Sequence, residues 1–95
     1  PILAVADGKV TRVQRKWNSI GYAVFVQHDD GITSRYGHLH KFAPKIIKQI
    51  LKSKQARRFK DRVDFDIVLP EAIDVKKSEM IALSGDTGVG PPHLH

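Results

Sequence analysis

No cysteine occurs among the 95 residues, which excludes disulfides and cysteine-ligated zinc sites and leaves the redox compartment open. No apolar run approaches the roughly 18 residues that a membrane-spanning helix needs, so no membrane span is expected in this chain. Aromatic residues make up only 7% of it, with a single Trp. Acidic residues are scarce where basic ones are dense. Between Lys41 and Arg62 nine Lys or Arg stand against the single acid Asp61, so this segment carries +8 and the remainder −2 of the net +6. Two readings of the segment stay open. It is either a solvated helix face or a surface for an anionic polymer or a protein partner. Only Phe42 and Phe59 are aromatic within it, which gives base stacking little support, so nucleic acid is not expected as a partner.

What is present is a folded-protein composition, 41% hydrophobic and 27% charged, in a length that suits one small domain. The chain opens on Pro1 and stops on a histidine inside a motif, as a fragment would. Its most informative feature is the tripeptide His-Leu-His, found at 38–40 and again at 93–95. On a strand, side chains alternate faces, so an i, i+2 pair projects both imidazoles the same way, about 6.5–7 Å apart at Cα. Imidazole is the commonest zinc-binding side chain and titrates near neutrality. One ring of such a pair can bind a metal while the other faces what the metal activates.

The pattern between these pairs reads as strands with one helix. Pro1 to Ala6 is short and apolar, and Asp7-Gly8 is a hairpin-turn signal leading into Lys9 to Val13. Asn18 to Gly21 reads as a loop and Tyr22 to His28 as a β-branched, aromatic strand. Asp29-Asp30-Gly31 reads as a tight turn, followed by a return strand to His38 in which Ile32, Ser34, Tyr36 and His38 share a face. Pro44 suits a first helical turn, and Ile46, Ile47, Ile50 and Leu51 recur at helical spacing, which predicts an amphipathic helix to about Phe59. Val63, Phe65 and Ile67 alternate with Asp64 and Asp66 as in a strand, and Met80 to Ser84 is another. The 85–92 loop then delivers the second histidine pair.

These residues resemble a family. Gly85-Asp86-Thr87-Gly88 leading to Pro92-His93-Leu94-His95 resembles the terminal motif of the lysostaphin- and LytM-type zinc metallopeptidases, family M23. Tyr36-Gly37-His38-Leu39 resembles the family's Y-x-H-L motif, and residues 1–10 (PILAVADGKV) its opening strand pair. The likeness covers about 1–40 and 73–95. It implies a mainly β fold, an antiparallel sheet of the lysostaphin-type peptidase domain carrying one inserted basic helix, with 41–62 the insertion. It implies that 1–95 is a single, N-terminally truncated peptidase domain.

The same resemblance implies the chemistry. The substrate would be peptide bonds of bacterial cell-wall peptidoglycan and the cofactor Zn2+. His95 would be a metal ligand, with His38 and His93 catalytic beside a metal-bound water. Leu94 would point into the core, Gly85, Gly88 and Gly90 would permit the loop, and Asp86 is a turn residue. A wall substrate implies the bacterial cell envelope as location. The chain also departs from the family. The other two ligands form an H-x3-D pattern that is absent here, so one zinc ligand of three is supplied. His28 reads as a partly exposed strand histidine, His40 as a surface or supporting residue, Tyr36 as core, and Asp29-Asp30 as turn chemistry. Three functions are carried forward: a zinc endopeptidase, a non-catalytic M23-like module that binds or activates a wall hydrolase, and a phosphohistidine sugar-phosphotransfer carrier.

Overall fold

The computed structural model describes residues 1–84 and, as backbone alone, the strand at 93–94. Its elements are β1 Ile2–Leu3, β2 Gly8–Lys16, β3 Gly21–Gln27, β4 Thr33–Phe42, α1 Pro44–Lys52, α2 Ala56–Lys60, β5 Phe65–Val75, β6 Met80–Ser84 and β7 His93–Leu94. The strands form one antiparallel sheet in the order β1-β6-β4-β3-β2-β5, with β7 also on β4. The mainly β content read from the residue pattern, and the antiparallel sheet implied by the resemblance, are therefore the ones found.

Local chemistry explains the central strands. Val24 and Val26 on β3 and Phe65, Ile67 and Leu69 on β5 alternate into the core as period-2 strands require. On β2 the buried pair is Val10 and Val13, three apart, because both neighbours shift register between Val10 and Arg12. An extra residue in a ladder turns the strand's face over, which lets both valines point inward. The tight turn at 29–31 is also found. Gly31 has φ 84°, and Asp30 Oδ1 accepts a hydrogen bond from Ile32 N at 3.0 Å.

Two local expectations are replaced. Asp7-Gly8 is not the turn of a β1–β2 hairpin, because β1 pairs with β6 at the far side of the sheet from β2. Asp7 instead anchors the segment, its Oδ1 accepting from Lys77 N at 2.7 Å. The run from Pro44 to Phe59 is two short helices and not one. Ser53 adopts ψ 162° and donates its hydroxyl to Ile50 O at 2.7 Å, which ends α1, and its Oγ then accepts from Gln55 N at 3.3 Å. Serine competes for the backbone groups that would continue the helix.

Below the sheet, α1 packs on β5, burying Ile46 and Ile50 completely, while Leu51 stays half-exposed. α2 sends Phe59 against Phe42 and Phe65, with centroids 6.3 and 6.0 Å away. The helices thus close the core on one flank and leave their lysines and arginines outside.

Candidate functional site

β4 positions the first histidine pair. Opposite β3 its register slips between the Tyr22–Leu39 and Val24–Tyr36 pairs, so Tyr36 and Leu39 both enter the core. The residue that absorbs the slip is His38, at φ 55°. Left-handed backbone costs an L-residue about 1–2 kcal/mol, so the surroundings must hold it there. Part of that hold is visible, since His38 N donates to Ile20 O at 2.7 Å, outside the regular ladder. His38 as a whole is 2% exposed, the one buried polar or charged residue among the described residues.

The bulge also separates the pair. Ile32, Ser34, Tyr36 and His38 do not share a face, because the alternation is interrupted at His38. His38 is buried and His40 exposed. His40 lines a cavity of about 630 Å³ next to Tyr22 and Phe42. The i, i+2 argument holds for a regular strand, and here the strand is irregular.

The backbone of His93 arrives beside the first pair. β6 pairs with the end of β4, from Ser84 on Leu39 to Ala82 on Phe42. β7 takes up the same side of β4 further back, with His93 opposite Gly37 and Leu94 opposite Tyr36. The sheet thus brings His93 next to the backbone of His38. The expectations for the His93 and Leu94 side chains, for His95, and for Gly85, Asp86, Gly88 and Gly90 lie outside the described residues. Among the described residues no three His, Asp or Glu side chains converge as a metal-binding group. The described residues therefore do not by themselves fit a metal.

The remaining candidates have structural partners. His28 bridges two segments, with Nδ1 2.7 Å from Asp7 O and Nε2 2.7 Å from Ser34 Oγ. A carbonyl can only accept, so Nδ1 donates to it, while Nε2 shares a hydrogen bond with the serine hydroxyl. Tyr36 is buried, and its hydroxyl accepts from Val5 N at 3.0 Å, tying the β1 end to β4. Of the basic segment, Lys45 pairs with Glu79 and Arg57 with Asp61, so part of its charge is locally balanced. Sequence reasoning missed the role of Trp17 and Arg15, which stack at 4.8 Å on the cavity wall. The adjacency of Arg15, Lys16 and Trp17 to a turn was the available signal.

Comparison with known proteins identifies the family. The family described as Peptidase family M23 matches residues 1–56. An uncharacterized metalloprotease of Haemophilus influenzae is 32% identical over 96 residues, an alignment covering 100% of this chain and 15% of that protein. The chain thus spans about 15% of the length of that curated relative. No solved structure gives a significant match. A family match over more than half of the chain, with a metalloprotease relative aligned along all of it, shows that the chain belongs to peptidase family M23.

Proposed function

We propose that the chain is part of a zinc-dependent endopeptidase that hydrolyses peptide bonds of bacterial cell-wall peptidoglycan in the cell envelope. The observation that carries this reading is the β4–β7 pairing, which sets His93 opposite Gly37 and beside the buried, left-handed His38. A site with no chemical task has no reason to keep an imidazole buried on strained backbone.

In this reading His95 ligates the metal, and the two further ligands come from outside this chain. Zinc, when bound, polarises water and a scissile carbonyl. One of His38 and His93 would take the proton of the attacking water, and the other would donate a hydrogen bond to the developing oxyanion. The packing around His38 fixes the orientation of its ring before substrate arrives.

The test is zinc stoichiometry by native mass spectrometry on the full-length protein, with and without His95→Ala, followed by assays on cell-wall peptides. One zinc per chain, lost on the substitution, together with hydrolysis of those peptides, supports the proposal. A folded protein that takes up no zinc at neutral pH overturns it in favour of a non-catalytic module that binds a wall hydrolase.

A further inference from the structure

The cavity beside His40 has a chemistry of its own. Its described walls contain no carboxylate, and four cations, Arg15, Lys41, Lys60 and Arg62, surround it. Arg15 is already ion-paired with Asp64 through Nη1, at 3.0 Å, although its buried Nε finds no hydrogen-bond partner among the described residues. Lys41, Lys60 and Arg62 are exposed and form no ion pair among the described residues. Three cations gathered without a counter-charge repel one another, and an anion relieves that repulsion.

One aromatic ring of the wall is only partly covered. Trp17 is 47% exposed, with the Arg15 guanidinium covering one side of its ring at 4.8 Å. Asp64 fixes both parts of this platform, accepting from Arg15 Nη1 at 3.0 Å and from Trp17 N at 3.1 Å. The other rings at the wall are engaged with each other. Tyr22 meets Phe42 edge-on at 5.3 Å, and Phe42 meets Phe59 at 6.3 Å. A ligand here therefore stacks on one ring and is not sandwiched between two.

The donor balance narrows the class. Lysine, arginine and tryptophan only donate hydrogen bonds, and of the described lining side chains only His40 and Tyr22 can accept. A nucleobase would bring N–H groups that find few acceptors. A sugar ring bearing acidic groups brings oxygen lone pairs in abundance and a flat C–H face for Trp17. The volume of about 630 Å³ lies within the range of small-ligand pockets.

We propose that this cavity is a binding site for an acidic saccharide, a sugar ring bearing carboxylate or phosphate, held by Lys41, Lys60 and Arg62 and stacked on Trp17. His38 is not among its lining residues, so the proposal stands or falls independently of the peptidase reading.

The test uses the full-length protein and reads fluorescence that disappears in a Trp17→Phe variant, titrated with tetragalacturonate. Chitotetraose supplies the sugar without charge, tripolyphosphate the charge without a ring, and AMP an aromatic anion. The expected result is a saturable, Trp17-dependent response to tetragalacturonate that is at least about tenfold weaker for the three other probes. A Lys60→Glu, Arg62→Glu double variant weakens the response about tenfold or more, as loss of close charge contacts predicts. Both positions are exposed, and an unchanged circular dichroism spectrum shows that the variant folds. No Trp17-dependent response, an equal response to tripolyphosphate, tighter binding of AMP, or indifference to the double variant would each overturn the proposal.

Discussion

His93 and Gly37 lie opposite each other across the β4–β7 pairing, although most of the chain separates them in sequence. Gly37 is followed by His38, whose left-handed backbone breaks the alternation of β4. The pairing and the bulge act together. One brings the backbone of His93 and Leu94 to β4, and the other keeps Tyr36 and Leu39 in the core while His38 takes a separate position.

His38→Asn separates chemistry from packing. Asparagine tolerates left-handed backbone better than most residues, so the bulge survives the change. The loss in stability stays below about 2 kcal/mol, measured by urea unfolding. Under the proposed function, cell-wall peptide hydrolysis by the full-length protein falls about 10²–10⁴-fold, the range for removing a proton-transfer group. Unchanged hydrolysis per folded molecule would remove His38 from the mechanism.

Gly8→Ala tests the close approach of β2 to β3. A Cβ at Gly8 would meet Gln27 O at 2.6 Å, His28 Nδ1 at 2.9 Å and Val26 Cγ1 at 2.9 Å. The first of these is backbone within the ladder and has little freedom to move. The variant is expected to lose about 1–3 kcal/mol, as overpacked sites do. The His28 ring, held between Asp7 and Ser34, should shift its NMR resonances. A stability equal to that of the parent would show that the approach is looser than described.

How much of this was legible in the sequence differs by element. The strand at Tyr22 to His28 and the turn at Asp29-Asp30-Gly31 follow from local preferences, because β-branched runs and Asp-Gly turns carry their own signal. The amphipathic face of α1 was legible from Ile46 and Ile50. The pairing of β1 with β6 was not, since Asp7-Gly8 supports a local hairpin equally well and the choice is made by long-range packing. The break at Ser53 depends on one hydroxyl finding Ile50 O. At the site, the doubled motif marked the histidines, but nothing local marks His38 as the residue that absorbs a register slip. That follows from burying both Tyr36 and Leu39 against β3.

Tyr36→Phe isolates a single hydrogen bond. The phenolic oxygen accepts from Val5 N across the sheet, and the phenylalanine ring keeps the buried volume. Because Val5 is half-exposed, water can replace part of the lost bond. The expected cost is about 0.5–1.5 kcal/mol, with faster amide exchange at Val5 than at the β3 amides. Unaltered exchange at Val5 would show that the bond does not hold the chain's first segment.

Asp66 should set part of the acid sensitivity of the fold. Arg12 Nε donates to Asp66 Oδ1 at 2.6 Å and a second guanidinium nitrogen reaches Oδ2, where Gln14 Nε2 also donates at 3.0 Å. The Arg12 hydrogen bonds hold the Asp66 carboxyl below the usual carboxylate range, opposed by partial burial and aided by Gln14 and Lys16. A carboxyl with a depressed folded-state value binds its proton first in the unfolded chain. Its stabilisation is complete above the ordinary carboxylate value, about pH 4, and is lost as pH falls through the lower folded-state value. The pair is 41% and 34% exposed, so solvent screening keeps its contribution within about 1 kcal/mol at neutral pH. Asp66→Asn is therefore expected to flatten the acid limb of stability against pH below about pH 4, with little change in slope between about pH 6 and 8. Parallel acid limbs for parent and variant in urea unfolding would show that this pair does not govern the acid response.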